Sequence, residues 1–357
     1  MIRISKPPIN LREKLSELER PIGVKGNEIM RAETLQDARD LVSAGRKNIL
    51  INGNFIVSQR GDYTSATAFS YGNTYYLDRW KIKGGSNPAG TIQDLTRKVK
   101  IAATEDSNST GQLMVMQVIE DKTINLYGGK IVTLSALVKS NNPNCRVMYE
   151  LSGSGGWMSA NIDTNHNTHS GNGQEERLYV TFKLPDNYAS VNTSNELRVY
   201  VGFDSYNSVG GVQINNGDYF EASEVQLEVG KVATEFEHRS YGEELALCQR
   251  YFFMLGDTNN TSLPHASYYN NTLIAMSVQF PVTMRANPSI YIVDGTGYFG
   301  IYTNNAFDAF DTFVIARPQP NCATLDCNGN GASGTAGHSG PGVIANSAAR
   351  LGFNAEL

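Results

Sequence analysis

The sequence has few charged residues, few cysteines and no long apolar run. Only 18% of its 357 residues are charged, too few for a coiled coil, whereas 40% hydrophobic residues are too many for a disordered chain. The net charge of −5 provides no basic field for nucleic acid or an anionic membrane. Every apolar run is far shorter than the ~18–20 residues that span a bilayer, and residues 1–20 have no signal-peptide pattern. We therefore expect neither nucleic-acid binding nor membrane insertion.

Four scattered cysteines argue against a disulfide framework and against a zinc site. They are Cys145, Cys248, Cys322 and Cys327. Only the last two lie close together, and four intervening residues is a poor zinc spacing without a second pair. We expect free thiols in a chain that folds in a reducing cytoplasm, with no metal and no cofactor.

The common catalytic signatures are also missing. The sequence contains no G-x-S-x-G, no G-x-x-x-x-G-K-[ST] and no H-E-x-x-H. Gly329, Gly331 and Gly334 do form G-x-G-x-x-G, but further Gly and Ser follow instead of the helix that a dinucleotide site needs. Neighbouring acids occur as Glu175/Glu176, Glu243/Glu244 and Asp308/Asp311, although glycosidases need two carboxyl groups facing each other across a cleft. We therefore expect no enzymatic activity.

One polar loop partly matches a calcium site. Asp163, Asn165 and Asn167 occupy the first three ligand positions of a calcium loop. However, Thr168 stands where glycine makes the sharp turn, and Gln174 replaces the bidentate glutamate. A plain polar loop is favoured, and calcium binding stays open.

The residues that are abundant indicate a protein rich in strands and turns. The chain has 34 Gly and 18 Tyr, a composition typical of all-β proteins. From Asn48 onward, short alternating segments are separated by Gly, Asn, Asp or Pro clusters, which favours a jelly-roll sandwich over a βαβ fold. The first candidate strands are Ile49–Ile51, Trp80–Lys83, Leu113–Ile119, Lys130–Val138, Cys145–Leu151, Tyr179–Lys183, Leu197–Phe203 and Asp218–Glu228, with Trp80 in the core. No repeat of 20–50 residues supports a parallel β-helix.

Residues 1–47 have a different, helical pattern. A first helix is predicted after Pro7-Pro8, with Asn10 as its candidate N-cap and Pro21 at its end. A second helix is predicted from about Ala32 to Ala44. Each helix is too short to be stable alone in water. Their apolar faces must therefore be buried in an oligomer or on a partner, and we interpret this segment as an anchor. The anchor leucines are Leu11, Leu15, Leu18, Leu35 and Leu41.

The last 107 residues form a third, charge-poor region after a short predicted helix at Glu243–Arg250. Only nine of residues 251–357 are charged, far below the ~25–35% of an ordinary surface. A homo-oligomeric interface would explain this depletion. Strands are predicted at Leu273–Phe280, Ser289–Val293, Tyr298–Tyr302, Thr312–Ala316 and Ala349–Phe353. The loop Asn328–Gly342, with six glycines in fifteen residues, is expected to be structureless and to lie at an exposed tip that contributes to host contact.

Loop aromatics are the strongest binding candidates, because sugars stack on aromatic rings while polar side chains hold their hydroxyl groups. Packing in a core or an interface is the alternative for each aromatic. The glycan-binding candidates are Trp157, Tyr206 with Asp204 and Asn207, Tyr268 and Tyr269, which Asn270 and Asn271 flank, and His338.

Four stretches resemble phage tail-fibre and related virion proteins. Asn48–Gly61 (NILINGNFIVSQRG) with Tyr76–Trp80 (YLDRW) resembles the opening of their jelly-roll domain, and Gln226–Arg250 resembles its closing strand and exit. Phe280–Ile290 (FPVTMRANPSI) with the terminal NAEL resembles the β-sandwich head that often follows. Lys25–Glu33 and Ser43–Asn48 resemble N-termini of such proteins in tailed phages, including those of cyanobacteria. The jelly roll is also similar to carbohydrate-binding modules.

The resemblance implies a mainly β fibre with four parts: an anchor (1–47), a jelly roll (48–240), a helical linker (241–250) and a β-sandwich head (251–357). Such a fibre would be a homotrimer in the virion, in the tail rather than the capsid. Residues 1–47 would hold it on another virion protein, and it would attach to a host cell-surface glycan without catalysis. The alternatives are a capsid-decorating head fibre and a polysaccharide depolymerase.

Overall fold

The computed structural model describes residues 47–69, 73–84, 88–107, 111–151, 167–184, 197–204 and 213–357. Contacts divide the chain into two compact units, Met1–Lys47 and Asn48–Leu357, and everything below concerns the second unit. The predicted anchor leucines lie outside the described residues. No helix in the described part of the chain is long and apolar enough to cross a membrane.

The described chain is mainly β, as the sequence predicts, and its first half forms two antiparallel sheets. One sheet has the order β1-β4-β5-β11-β7-β9 and the other β2-β3-β6-β10-β8. A short helix, α1 (Asp121–Asn125), follows β6. The strands are β1 (Thr67–Phe69), β2 (Asn73–Leu77), β3 (Trp80–Gly84), β4 (Gly90–Asp94), β5 (Val99–Ala103), β6 (Gln112–Ile119), β7 (Ile131–Ser140), β8 (Cys145–Leu151), β9 (Glu175–Lys183), β10 (Leu197–Asp204) and β11 (Tyr219–Val229).

One apolar core lies between these two sheets. Alternate residues of each strand point inward, so β6 contributes Leu113 and Val115 from one sheet while β7 contributes Leu134 and Ala136 from the other. Trp80 belongs to the same core, with an indole that donates a hydrogen bond to the Asn52 carbonyl (2.9 Å). The arrangement is a β-sandwich.

The second half forms a further pair of sheets. Three strands pair in the order β12-β21-β15, and seven pair in the order β17-β16-β20-β13-β14-β19-β18. A separate apolar core, which includes Phe299 and Leu325 of the larger sheet and Phe353 of the smaller one, lies between them. The strands are β12 (Phe252–Gly256), β13 (Ser262–Tyr268), β14 (Leu273–Gln279), β15 (Ser289–Val293), β16 (Phe299–Thr303), β17 (Ala306–Phe310), β18 (Val314–Ile315), β19 (Cys322–Asn328), β20 (Ser339–Ile344) and β21 (Arg350–Asn354).

The segment before β1 is irregular, whereas the sequence predicts a strand at Ile49–Ile51. The backbone bond from Ile49 N to the Leu227 carbonyl (2.8 Å) is present, but asparagine side chains make further hydrogen bonds with the backbone there. The Asn48 Oδ1 accepts hydrogen bonds from the backbone N–H groups of Leu50 (3.0 Å) and Leu227 (3.1 Å). The Asn52 Nδ2 donates to the carbonyls of Val57 (2.9 Å) and Asp78 (3.0 Å). Side-chain bonds of this kind compete with strand pairing.

Helix α2 (Tyr241–Gln249) connects the two pairs of sheets. It begins two residues before the predicted Glu243–Arg250, because Ser240 and Glu243 form a capping box. Just after the helix, the Tyr251 hydroxyl donates a hydrogen bond to Glu120 Oε1 (2.8 Å), and Arg250 forms an ion pair with the same carboxylate (3.2 Å). The helix exit is thus tied to the end of β6.

Residues 355–357, the return segment, come back from the second half to the first. Glu356 forms ion pairs with Arg79 and with Arg60 (3.2 Å), and all three side chains are almost completely buried. The Leu357 carbonyl accepts hydrogen bonds from the Tyr75 hydroxyl (3.0 Å) and from Lys81 Nζ (2.6 Å). These contacts, together with helix α2, fix the two sandwiches to each other.

Candidate functional site

The candidate residues of the first sandwich are only partly described. Trp157, Tyr206 and Asn207 lie outside the described residues, as do Asp163 and Asn165 of the calcium-like loop. Asp204, expected in a loop, is instead the last residue of β10 and is fully buried. Its carboxylate accepts a hydrogen bond from Gln112 (3.1 Å) and lies 4.0 Å from the Arg146 guanidinium. Because internal groups occupy this carboxylate, it does not face a ligand.

Tyr268, the last residue of β13, and Tyr269, the residue after it, have different environments. Tyr268 is buried, and its hydroxyl donates a hydrogen bond to Asp308. Burial and that carboxylate raise the pKa of Tyr268 above its ordinary value. Tyr268 therefore offers no exposed ring to a sugar, because its ring packs against the loop at Gly334. By contrast, 78% of Tyr269 is exposed.

The glycine-rich loop is shorter than the sequence predicts, and hydrogen bonds to a neighbouring turn fix its backbone. β19 ends at Asn328 and β20 begins at Ser339, so strands take up both ends of the predicted Asn328–Gly342 loop. The turn between β13 and β14 binds the rest, because Gly334 N donates to Asn271 O (3.0 Å) and Gly329 N to Thr272 O (2.9 Å). The loop is a packed connection, in which β20 follows the G-x-G-x-x-G motif where a dinucleotide site would have a helix.

Three connections meet at this end of the seven-stranded sheet. The β13–β14 turn contacts the β19–β20 loop, and the carbonyl of the half-exposed His338 accepts a hydrogen bond from Tyr268 N (2.9 Å). The β16–β17 turn lies at the same end, because Ile301 of β16 pairs with Gly342 of β20. A Cβ at Gly340 would overlap the Tyr302 carbonyl. Glycine at this position therefore lets β16 and β20 approach closely.

The outer face of the sheet at this end carries three exposed aromatic rings. Tyr302 and Phe307 are cross-strand partners with ring centroids 4.9 Å apart, and their exposed fractions are 52% and 46%. Tyr269, just after the end of β13, lies two strand spacings (about 10 Å) across the sheet from Tyr302 and four residues (about 13 Å) further along it. The small side chains of the paired Ser267 and Ser339 lie between. We call this surface the loop-end platform; it consists of Tyr269, Tyr302, Phe307, Ser267, Ser339 and Pro341.

The loop-end platform contains no Asp, Glu, Lys or Arg. The turns at its margin supply exposed amides from Asn270, Asn304 and Asn305. The carboxylate of Asp308, the residue after Phe307, accepts hydrogen bonds from Tyr268 and from Ser333 N (3.0 Å). Exposed ring faces with neutral hydrogen-bonding groups are suited to an uncharged, hydroxyl-rich ligand.

Two of the platform aromatics were not among the sequence candidates. Tyr302 and Phe307 flank the dipeptide Asn304-Asn305, in which both residues have positive φ (43° and 65°). An Asn-Asn pair between two aromatic strand residues is a hairpin signal. That signal places Tyr302 and Phe307 side by side near a turn and could have identified them.

The acid pairs considered for catalysis are used structurally. Glu175 pairs with Lys98, whereas Glu176 accepts a hydrogen bond from Ser170 N (3.0 Å). Asp311 accepts one from Gly297 N (2.8 Å). In the part of the chain that the structure describes, no group of three or more His, Cys, Asp or Glu side chains could hold a metal ion.

Comparisons with known proteins identify no family for this chain. No family model matches the chain, and no curated protein matches it. Among solved structures, the tandem CBM22 domain of Xyn10C from Paenibacillus barcinonensis covers 88% of this chain and 98% of its own, with 10% identity and a TM-score of 0.27. The tandem CBM51 modules of a family 98 glycoside hydrolase from Streptococcus pneumoniae cover 81% and 99%, with 11% identity and a TM-score of 0.17. Likeness at these scores supports no argument about fold or function.

Proposed function

We propose that this chain is a non-enzymatic adhesion protein that binds neutral glycans through the loop-end platform. The observation that carries the proposal is the trio of exposed rings, Tyr269, Tyr302 and Phe307, on a platform whose own six residues are uncharged. Burying an aromatic ring against the apolar face of a sugar stabilises the complex, and the surrounding amides and hydroxyl groups orient it. The platform residues include no carboxylate, which favours binding of the ligand without cleavage.

The proposal extends to a phage virion fibre with three copies of the chain. The resemblance of the sequence to tail-fibre proteins supports the virion role, with residues 1–47 as the contact to another virion protein. The scarcity of charge in residues 251–357 supports a homo-oligomer. Three weak platforms on one rigid body would act together through a high effective concentration, so modest single-site affinity is sufficient for attachment to a host surface.

A glycan array tests the proposal. The wild-type protein is compared with Tyr269→Ala, with Tyr302→Ala and with Tyr241→Ala as a matched control. Tyr241 is a similarly exposed tyrosine (58%) on helix α2, away from the platform. We expect binding to neutral glycans that each platform variant weakens by about tenfold and that the control leaves unchanged.

Two results would overturn this assignment. If the control weakens binding as much as the platform variants, the loss reflects a general effect of removing an exposed ring. If the bound glycan gains reducing ends on incubation, the protein is a hydrolase or lyase.

A further inference from the structure

A cleft of about 430 Å³ lies where the two sandwiches meet, and it shares no residue with the loop-end platform. The first sandwich contributes residues 58–63 and Asp94, and the second contributes Asp257, Thr258 and Arg350. The volume is within the ~300–1,000 Å³ typical of small-ligand pockets. Both sandwiches therefore build a single cleft large enough for a sugar-sized ligand.

The cleft is rich in carboxylate oxygens. Asp62 uses one oxygen to accept a hydrogen bond from Thr64 N (2.9 Å), and Asp94 uses one to accept from Thr96 N (2.8 Å). A carboxylate offers about four acceptor positions, so both groups retain capacity for a ligand. Asp257 is exposed and makes no hydrogen bond or ion pair with the described residues.

The two arginines do not cancel this negative charge. Arg60 is almost completely buried, and its guanidinium forms an ion pair with Glu356 (3.2 Å) and lies 3.7 Å from the centroid of the Phe252 ring. Its Nε is buried without a hydrogen-bond partner. Arg350 donates from Nη1 to the carbonyls of Ser347 (2.9 Å) and Ala349 (2.8 Å). Glu356 also pairs with Arg79, so Arg60 is only partly compensated. The three carboxylates of the cleft still outnumber its two arginines, which leaves an excess of at least one negative charge.

Tyr63 adds an aromatic wall. It is half-buried, and its ring packs edge-on against Tyr76 with centroids 5.8 Å apart. Burial and nearby groups raise the pKa of Tyr63 to about 12, so its hydroxyl is a neutral donor at physiological pH. Close to it, burial and the negative charge of Asp62 raise the pKa of Asp94. A ligand cation would relieve this repulsion, whereas a second anion would increase it.

We propose that this cleft is a second saccharide site, selective for sugars that carry a protonated amino group. The carboxylates of Asp62, Asp94 and Asp257 bind the ammonium and adjacent hydroxyl groups, and Tyr63 supplies the ring surface. Selectivity follows from charge: an amino sugar is attracted, a neutral or N-acetylated sugar lacks the ion pair, and a uronic acid is repelled. The inference is independent of the loop-end platform.

The test uses isothermal titration with the fully deacetylated tetramer of β-1,4-linked glucosamine. The N-acetylated tetramer and a tetramer of glucuronic acid serve as comparison ligands. We expect the amino tetramer to bind at least about tenfold more tightly than either. The variant Asp62→Asn/Asp257→Asn should bind the amino tetramer no more tightly than the comparison ligands, because two of the three carboxylates are gone. Both side chains are exposed, so their replacement should leave the fold intact. Asp257→Lys should abolish binding of the amino tetramer.

Controls distinguish this site from the platform and from general charge attraction. Tyr269→Ala/Tyr302→Ala should retain amino-tetramer binding, so a failure of the platform proposal leaves this result standing. Tetralysine carries the same number of side-chain ammonium groups without a sugar, and it should not compete. Equal affinity for the uronic acid tetramer, competition by tetralysine, or undiminished binding by both Asp257 variants would overturn the inference.

Discussion

At the scale of single residues, burial of Asp78 makes folding sensitive to pH. The carboxylate is fully buried and accepts hydrogen bonds from Gln59 N (2.5 Å) and Gln59 Nε2 (2.7 Å). Burial nevertheless dominates and raises the pKa of Asp78 from 3.8 to about 6. The folded protein therefore holds this proton more tightly than the unfolded chain. The resulting stabilisation is complete below about pH 4 and is lost as the pH rises through about 6.

Asp78→Asn should remove this pH dependence. Relative to wild type, its free energy of unfolding should increase, by up to about 3 kcal/mol, as the pH rises from 4 to 7.5. Urea denaturation measures this difference. Asp62→Asn is the control, because a hydrogen bond from Thr64 N lowers the pKa of Asp62 below 3.8. Its contribution to stability changes only below about pH 4, so this variant should differ from wild type by a constant amount between pH 4 and pH 7.5. A difference between Asp78→Asn and wild type that is constant with pH would refute the explanation.

A glycine beneath the loop-end platform is needed for packing. A Cβ at Gly334 would overlap the ring of Tyr268, so Gly334→Ala should destabilise the protein by about 1–3 kcal/mol. Gly242, in the first turn of helix α2, has open space around it, and Gly242→Ala should be neutral or stabilising by up to about 1 kcal/mol. Thermal unfolding measures both changes. Equal effects would show that the loop yields to the added methyl group.

At the scale of elements, the return segment is the main connection between the sandwiches. Glu356→Gln would leave the buried Arg79 without its charge partner, and we expect a loss of about 3–5 kcal/mol. Glu175→Gln removes a carboxylate from the exposed pair with Lys98, and it should cost less than about 1 kcal/mol. Urea denaturation compares the two variants. Similar losses would show that the buried pair contributes no more than a surface one.

The sequence predicts elements well where side chains alternate and poorly where distant pairing forms them. The pattern CRVMYEL gives the observed bounds of β8 (Cys145–Leu151). By contrast, β20 contains Gly340, Pro341 and Gly342, which read as a loop, and it becomes a strand because β13 and β16 pair with it on both sides. The local sequence pattern of β20 does not show that β13 and β16 will pair with it.

In the candidate site, too, local sequence predicts some features and distant pairing determines the others. Tyr269 and His338 were identified from loop composition, and the fold brings their connections together. The inward direction of Tyr268 follows from its register opposite Ile274 in a core-facing pair, which composition does not reveal. The ion pair between Arg79 and Glu356 joins residues 277 positions apart, beyond the reach of any local signal.

At the scale of the whole molecule, the proposed fibre contains more than one copy of the chain. The scarcity of charge in residues 251–357 predicts that part of this surface is covered by other copies. Native mass spectrometry should give three times the chain mass of 39.1 kDa. The mass should be unchanged for Tyr269→Ala, because a ligand platform must stay outside the interface. A monomeric mass, or a trimer that this variant dissociates, would contradict the assignment.

The most direct test of glycan binding without catalysis is saturation-transfer NMR on a neutral glycan selected from the array. The account predicts saturation transfer to the sugar protons in the wild type, its loss in Tyr269→Ala/Tyr302→Ala, and a glycan spectrum that stays unchanged after prolonged incubation. Undiminished transfer in the double variant, or new reducing-end anomeric signals in the wild-type sample, would contradict it.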